Sequence, residues 1–424
     1  DRNVLTKNAI EKLLKTKPAS LTYKSKAKLI TPGNLEDDLQ ALRGVDWIIE
    51  AIIEDANIKK NLYRKINAYR KEGSVVSSNT STIPLKDLTE GMPNEFRRDF
   101  MITHFFNPPR YMRLLELVGG AETRPKSLEK IREFCDINLG KGVVVCKDTP
   151  GFIANRIGCF WMTAGLVEAI KQDVTVEVAD AVMGKPVGIP KTGVFGLMDL
   201  IGIDLLPLIA KSMQATLPKT DAFGQTYKLP DVVAKMIKDG YTGRKGKGGF
   251  YRLNEEGGKK VKESVDLKTG QYRPSEKPDL ESVKAAKDGL QDFVTHPDQG
   301  GKYAWEVMAQ SLSYAASLVP EISDSIYDVD EAMRLGYNWK YGPFELIDRF
   351  ADEKTSGPKW FAQKLKDSGK EVPKLLNDIG DRNFYKQDNT ARQVYSLGKN
   401  DFIVLESSKD AWMLSDMKLK KKPI

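Results

Sequence analysis

The stretch Val45-Asp46-Trp47-Ile48-Ile49-Glu50-Ala51-Ile52-Ile53 is the clearest architectural signal in this chain. It is short, almost continuously apolar and rich in β-branched residues, which is typical of a strand buried on both faces of a sheet. Runs of the same kind follow at residues 74–78, 100–106, 114–118 and 143–145. Together they predict one buried sheet in the first third of the chain.

Helical stretches separate several of these runs. Residues 57–71 and 126–138 are rich in lysine and glutamate and have helical spacing. Residues 1–20 also predict a helix, because Ile10, Leu13 and Leu14 share one face and Lys17-Pro18 ends the pattern. Alternation of strands and helices favours an α/β layered domain over residues 1–148.

Beyond Asp148-Thr149-Pro150-Gly151 the sequence predicts mostly helix and loop, and it contains an internal repeat. Residues 193–199 resemble residues 342–348, and residues 179–184 resemble residues 329–334, so the two copies start about 150 residues apart. Chance similarity of two helix starts is the alternative, but the order of the parts is also kept. We therefore expect a duplicated helical unit.

These patterns give a domain organisation for the whole chain. The predicted parts are an α/β domain (1–148), a first helical copy (149–255), a linker or surface insertion (256–298), a second helical copy (299–390) and a C-terminal tail (391–424). The tail has one strand-like run at residues 402–405 and a basic end around Lys420.

Composition narrows the class of protein. The formal net charge is +8, but lysine and arginine are interleaved with acids and read as solvated surface, and nothing resembles a zinc finger or an arginine-rich arm. We therefore predict no nucleic-acid partner and no metal ion. Three cysteines without C-x-x-C spacing suit a reduced, cytoplasmic protein. The sequence contains no run of about 18 apolar residues, so we predict no membrane span.

The chain has only two histidines, and imidazole is the group best suited to proton transfer near neutral pH. His104 lies at the end of a predicted buried strand, where ligands of open α/β sheets bind. His296 lies in a polar turn and reads as surface. Position alone does not separate a catalytic His104 from a core histidine with satisfied hydrogen bonds.

Polar residues near the predicted strand and helix ends are further candidates. Glu116 is the one acid inside the apolar stretch of residues 114–118, and a buried partner such as His104 would explain it, whereas an edge-strand acid facing water is the alternative. Residues 77–82 supply hydroxyl and amide groups after a strand, although such clusters are usually turns. Asn155 falls in the first turn of a helix, where polar groups often serve only as caps.

The glycines of this chain do not form a recognised phosphate-binding motif. No G-x-G-x-x-G precedes the strand at Val45, although a dinucleotide fold carries one after its first strand. Residues 243–251 are glycine-rich and basic but follow no strand and lack the Walker A pattern. Neither feature predicts a phosphate loop.

Taken in order, the motifs resemble the 3-hydroxyacyl-CoA dehydrogenase family over roughly residues 20–385. The matching pieces are residues 49–55 with Lys59, residues 78–81, residues 104–108 followed by Glu116, residues 148–152 with Asn155-Arg156, the two glycine turns of the repeat and residues 243–251. The resemblance implies a Rossmann-type domain, N-terminally incomplete, followed by two mostly α-helical, duplicated dehydrogenase domains.

The resemblance also implies a reaction and a set of site residues. The expected reaction is oxidation of (3S)-3-hydroxyacyl-CoA to 3-oxoacyl-CoA with NAD, as in fatty-acid β-oxidation. His104 would be the base and Glu116 would orient it, while Ser81 and Asn155 would hydrogen-bond substrate oxygen. The residues expected along the cofactor are Glu54, Lys59, Asn79, Asn107 and Lys245.

The departures from the family pattern lead to further expectations. The family's first strand, glycine loop and ribose-binding acid have no match here, so we expect a fragment of a longer chain with the glycine loop upstream of Asp1, which by itself binds NAD poorly or not at all. The rival is a degenerate homologue that serves as a non-enzymatic assembly module. The duplicated helical half and the insertion around residues 265–278 resemble the longer, multifunctional members of the family, so an enoyl-CoA hydratase domain beyond Ile424 is expected. Acyl-CoA and a second copy of the chain in a homodimer are the other expected partners.

Overall fold

The computed structural model describes residues 1–256, 259–387 and 391–405. The chain divides into two compact units, Asp1–Thr149 and the part from Pro150 onward, which are described separately below. The predicted basic end around Lys420 lies outside the described residues. Among the helices that the structure describes, none is both long and apolar enough to cross a membrane.

The first unit is built on a five-stranded sheet with the order β1-β2-β3-β4-β5. Its strands coincide with the five predicted apolar runs and are β1 (Trp47–Glu50), β2 (Val75–Ser78), β3 (Phe100–Phe105), β4 (Leu114–Gly119) and β5 (Gly142–Cys146). Pairing is parallel except between β3 and β4. That pair is antiparallel because residues 106–113 are too few for a crossover, which takes a dozen or more residues.

Helices flank this sheet and supply part of its core. They are α1 (Val4–Lys15), α2 (Ala56–Tyr69), α3 (Leu85–Thr89), α4 (Asn94–Asp99) and α5 (Pro125–Glu133), which continues into a π-helical turn at Phe134–Asn138. Ile131 of α5 packs with Met101, Leu115 and Leu117 from the sheet. The predicted N-terminal helix is present, but none of its residues is buried. Residues 1–46 contain no strand.

The second unit is mostly helical. Its helices are α6 (Ala154–Lys171), α7 (Val176–Val182), α8 (Phe195–Ile201), α9 (Leu205–Thr216), α10 (Ala222–Thr226), α11 (Asp231–Lys238), α12 (Glu281–Ala285), α13 (Leu290–Thr295), α14 (Gln299–Ser317), α15 (Ile326–Tyr337), α16 (Pro343–Asp348), α17 (Gly357–Asp367) and α18 (Lys374–Ile379). Two small antiparallel sheets complete it, one of β6 (Tyr251–Glu256), β7 (Lys259–Val265) and β8 (Tyr272–Pro274), the other of β9 (Tyr385–Gln387), β10 (Arg392–Ser396) and β11 (Asp401–Val404).

The segment predicted as a linker or surface insertion, residues 256–298, contains regular secondary structure. It contains β7, β8, α12 and α13, and β6 runs across the predicted boundary at residue 255. The buried carboxylate of Glu177 on α7 accepts hydrogen bonds from Ser264 and Arg273, which tie the small sheet to the helical body. The sequence concealed this sheet because β7 begins with exposed lysines and its apolar content is low.

The predicted duplication has a counterpart in two matching carboxylate networks. Asp180 on α7 accepts from the N–H groups of Phe195 (2.7 Å) and Gly196 (3.0 Å), and Asp330 on α15 accepts from those of Phe344 (2.8 Å) and Glu345 (3.1 Å). A tyrosine hydroxyl completes each set, Tyr251 at 2.9 Å and Tyr385 at 2.7 Å. Each copy thus fixes the start of one short helix through a buried acid.

The close approach of glycine to the acid explains the repeated glycine turn. A Cβ atom on Gly193 would collide with Asp180, and one on Gly342 would collide with Asp330. Gly193 also has a φ of +60°, a conformation that disfavours other residues. The repeated Gly-x-Phe pattern therefore reflects backbone packing against a buried carboxylate.

Candidate active site

His104 and Glu116 face each other across the antiparallel pair of the first unit. The register of β3 and β4 places them directly opposite, and Nδ1 of His104 lies 2.7 Å from Oε2 of Glu116. Glu116 is fully buried and His104 is 7% exposed. The alternative of an edge-strand acid facing water is therefore wrong, since β4 lies between β3 and β5.

This contact defines what the imidazole can do. A carboxylate accepts hydrogen bonds, so Glu116 favours the tautomer with the proton on Nδ1, in which Nε2 is the ring nitrogen that carries the lone pair. The ring of Phe106 packs edge-on against that of His104 with centroids 4.8 Å apart. The imidazole is thus oriented by the carboxyl group of Glu116 and by the ring of Phe106.

Asn79 connects the ends of three neighbouring strands. Its N–H donates to the carbonyl oxygen of Glu50 at 2.8 Å, and its side-chain Oδ1 accepts from the N–H of Phe105 at 2.9 Å. Phe105 follows His104 directly, so Asn79 lies beside the histidine strand. The role of Asn79 at the cofactor stays a prediction, and the oxygen of its side-chain amide is already used in the fold.

Glu54 organises the loop after β2. Its Oε1 accepts hydrogen bonds from the hydroxyl of Thr80 (2.5 Å), the N–H of Ser81 (3.1 Å) and both the N–H and hydroxyl of Thr82. Burial opposes ionisation of this carboxyl, but the hydrogen bonds from Thr80 and Ser81 and the charge of Lys59 outweigh it, so the pKa of Glu54 is lowered. The loop that carries Ser81 is therefore held by a carboxylate.

Lys59 is buried between two acids. Its Nζ lies 2.8 Å from Glu50 Oε1 and 3.3 Å from Glu54 Oε2, and its side chain is 1% exposed. The other oxygen of Glu50 accepts from the hydroxyls of Tyr63 and Ser78, both at 2.7 Å. Glu50 was not among the predicted site residues, although an acid inside an apolar run was the signal that singled out Glu116.

The polar groups at this edge fit part of a dinucleotide. Asn79, Ser81 and Glu54 follow the carboxyl ends of β2 and β1, and Asn107 is exposed just after β3. Amides, hydroxyls and a carboxylate of this kind suit a ribose and a carboxamide. Residues 1–149 contain no G-x-G-x-x-G sequence, the pattern that places a pyrophosphate at a helix N-terminus.

Two predicted site residues belong to the second unit. Asn155 is half-buried in the first turn of α6, as expected, and Lys245 lies in the glycine-rich loop between α11 and β6. Nζ of Lys245 pairs with Asp204 at 2.8 Å on the surface. Their participation in a site with His104 stays a prediction.

Each of the two units matches a family model of known proteins. Residues 3–149 match the model of the 3-hydroxyacyl-CoA dehydrogenase NAD binding domain, and residues 151–253 and 303–396 match that of the C-terminal domain. A Rickettsia felis protein named "Putative fatty acid oxidation complex trifunctional enzyme" is 45% identical over 347 residues, 82% of this chain and 48% of that protein. A Bacillus subtilis "Probable 3-hydroxyacyl-CoA dehydrogenase" is 36% identical over 406 residues, 94% of this chain and 50% of that protein.

A solved structure shares the fold. The crystal structure of 3-hydroxybutyryl-CoA dehydrogenase from Escherichia coli K12 matches with a TM-score of 0.63 and 21% identity over 89% of this chain and 91% of its own. The chain spans about half the length of the two curated relatives named above. With both of the family's domain models matched in order, the chain belongs to the 3-hydroxyacyl-CoA dehydrogenase family.

Proposed function

We propose that this protein oxidises (3S)-3-hydroxyacyl-CoA to 3-oxoacyl-CoA in fatty-acid β-oxidation, with His104 as the general base and Glu116 as the residue that orients it. The observation that carries the proposal is the 2.7 Å contact between the buried Glu116 carboxylate and Nδ1 of His104. A buried acid that is hydrogen-bonded to an imidazole fixes its tautomer and stabilises the imidazolium, which suits the imidazole to general-base catalysis.

The chemistry follows from this pair. Nε2 of His104 removes the proton from the 3-hydroxyl as carbonyl character grows at C3, and Glu116 stabilises the imidazolium that forms. NAD, when bound, accepts the hydride from C3. Ser81 and Asn155 donate hydrogen bonds to the substrate oxygen in this proposal, and Asn79, Asn107 and Lys245 line the cofactor.

Glu54 and Lys59 support cofactor binding mainly by holding the surrounding chain in shape. Their charged atoms already bind each other, Glu50 and the loop of Thr80 to Thr82. We therefore assign them the task of holding that loop in shape, with direct cofactor contact limited to the exposed part of Glu54. This assignment refines the predicted role of both residues.

The test is the rate of NADH oxidation with acetoacetyl-CoA by protein expressed from the complete gene. His104→Gln removes the base and should lower kcat by about 10²–10⁴-fold. His296→Gln is the matched control, because His296 is the chain's other histidine and lies in the second unit, and it should leave the rate unchanged. An active His104→Gln enzyme would sink the proposal.

Glu116→Gln tests the orienting role in the same assay. The glutamine amide can donate to Nδ1 and so favours the wrong tautomer, and kcat should fall by about 10²–10⁴-fold. Imidazole ¹⁵N chemical shifts give an independent readout, and the signal that is missing from the His104→Gln spectrum identifies His104. A proton that stays on Nδ1 in the variant contradicts this role.

A non-enzymatic assembly module is the second candidate. It is motivated by residues 1–46, which contain neither a strand nor a G-x-G-x-x-G sequence. NADH fluorescence titration of the protein from the complete gene separates the two, because an assembly module would not bind the nucleotide. A cytoplasmic location, a hydratase domain in the same polypeptide and a homodimer are further parts of the proposal.

A further inference from the structure

Lys141 is a buried cation in the first unit that the proposed mechanism does not use. It precedes β5 and is only 6% exposed. Its Nζ donates to the carbonyl oxygens of Pro109 and, at 2.8 Å, of Met112. Both acceptors lie in the loop of residues 106–113, which joins β3 to β4.

That loop directly connects the two strands of the candidate active site. His104 is the last residue but one of β3, and Glu116 is the third residue of β4. The loop also contains Phe106, which packs on the imidazole, and Asn107, which is predicted to contact the cofactor. The conformation of the loop therefore affects His104 through Phe106 and the predicted cofactor contact through Asn107.

We call the two hydrogen bonds from Lys141 to the loop the clamp of Lys141, and the surroundings of Lys141 indicate that these bonds are specific. Its Nζ lies 5.5 Å from the centroid of the Phe105 ring, so the ammonium also faces an aromatic residue of the histidine strand. Burial lowers the pKa of the ammonium, with the charge of Arg113 adding to the effect. A buried charge is costly unless it is well bonded, so two carbonyl acceptors in one loop are a strong constraint on that loop.

We propose that Lys141 is a positioning residue for the dehydrogenase reaction, which sets the loop of residues 106–113 through the carbonyl oxygens of Pro109 and Met112. This inference rests on the proposed function. Lys141 acts through the backbone of the loop, and its effect reaches the reaction by way of Asn107 and Phe106.

Lys141→Met removes the donor and keeps most of the side-chain length. We expect kcat/KM for NADH to fall about 10- to 100-fold, because small displacements of positioning groups are costly to catalysis. Lys141→Arg, which can still donate to two carbonyls, should stay within about threefold of the wild type. Hydrogen exchange of residues 106–113, measured without nucleotide, should be faster in Lys141→Met and near the wild-type rate in Lys141→Arg.

Arg70→Met is the matched control. Arg70 is another buried cation of this unit, and it binds the carbonyl of Ser74 and the carboxylate of Asp99 at 2.9 Å each. These residues precede β2 and β3, at the sheet edge opposite to Phe105. Arg70→Met should lower the melting temperature but leave kcat/KM within about twofold, because the loop of residues 106–113 is untouched.

The outcomes separate this inference from the proposed function. If His104→Gln is inactive while Lys141→Met retains wild-type kcat/KM and wild-type exchange in the loop, the positioning role is wrong and the proposed function stands. Equal losses of kcat/KM in Lys141→Met and Arg70→Met would also overturn it, since they would reflect stability alone. Should Lys141→Met fail to fold, Lys141→Gln replaces it, with the same expected direction in both measurements.

Discussion

Two acids inside apolar runs, Glu50 and Glu116, show how single buried charges organise this active-site edge. Glu116 pairs with His104, and Glu50 binds Lys59, Tyr63 and Ser78. Sequence reasoning identified Glu116 by its apolar setting, and the same reasoning applied to Glu50 would have found the partner of Lys59. It could not reveal that Lys59 is 1% exposed, because burial depends on neighbours distant in sequence.

Glu54 supports a prediction at the residue scale. Its carboxylate is hydrogen-bonded in the folded state, where its pKa lies below the ordinary value of 4.5. Its stabilising contribution is therefore present above pH 4.5 and is lost as the pH falls through the lower, folded value. Glu54→Gln should lower the free energy of unfolding at pH 7, and this deficit should shrink below pH 4.5.

Urea titrations at several pH values measure this deficit. Glu72→Gln provides the control, because Glu72 is an exposed acid of the same unit, and its deficit should be near zero throughout. A Glu54→Gln deficit that grows on acidification would contradict the assignment of Glu54 as a bound carboxylate.

At the scale of elements, apolar runs predicted all five strands of the first sheet because strands buried on both faces have few polar residues. The sheet of β6, β7 and β8 was missed for the opposite reason. The first part of β7 is exposed, and its buried end contains Glu263 and Ser264, which are satisfied by Arg252 and by Glu177. Buried polar residues of this kind cannot be predicted from local hydrophobicity, because their partners are distant in sequence.

The repeated acid of α7 and α15 leads to a prediction at this scale. Asp180 accepts three hydrogen bonds, and an asparagine cannot replace them all, so Asp180→Asn should destabilise the second unit by about 1–3 kcal/mol. Burial raises the pKa of Asp180 to about 7, against the bonds from Phe195, Tyr251 and Gly196. The folded state thus binds a proton that the unfolded chain releases, and stability falls as the pH rises from about 4 to 7.

The cost of Asp180→Asn should therefore be larger at pH 5 than at pH 8. Differential scanning calorimetry at both pH values tests this, and Asp330→Asn should show the same direction because burial also raises the pKa of Asp330 well above its usual value. Asp231→Asn is a control at a helix start, where the acid is exposed. A cost that increases with pH would contradict the direction of the Asp180 shift.

At the scale of the whole molecule, the duplicated copies share a close helix contact within the second unit. α6 packs against α14 and α15, where Tyr303 donates to the carbonyl oxygen of Gly165 at 2.9 Å and Trp161 meets Trp339 edge-on at 5.2 Å. Gly158 lies at the contact with Tyr337 of α15, which leaves no room for a Cβ atom. The two copies therefore pack against each other within one compact unit.

Gly158→Ala is the prediction that belongs to this scale. Alanine favours a helix over glycine by about 1 kcal/mol, but the collision with the Tyr337 ring should outweigh this gain and destabilise the protein by about 1–3 kcal/mol. Gly224→Ala on α10 is the control, because a Cβ there meets nothing within 4 Å. Thermal unfolding should show a lower melting temperature for Gly158→Ala only, and an equal or higher one would contradict the contact.

Local patterns of the sequence were sufficient for the α/β class, the order of the strands along the chain and the repeat, because these depend on apolar periodicity and on short motifs. His104 and Glu116 were candidates by position, and their roles came from the family resemblance. The antiparallel register that sets His104 opposite Glu116, the burial of Lys59 between Glu50 and Glu54, and the clamp of Lys141 on the loop of residues 106–113 came from the folded chain. They depend on side chains that are distant in sequence and become neighbours only when the sheet and its helices pack.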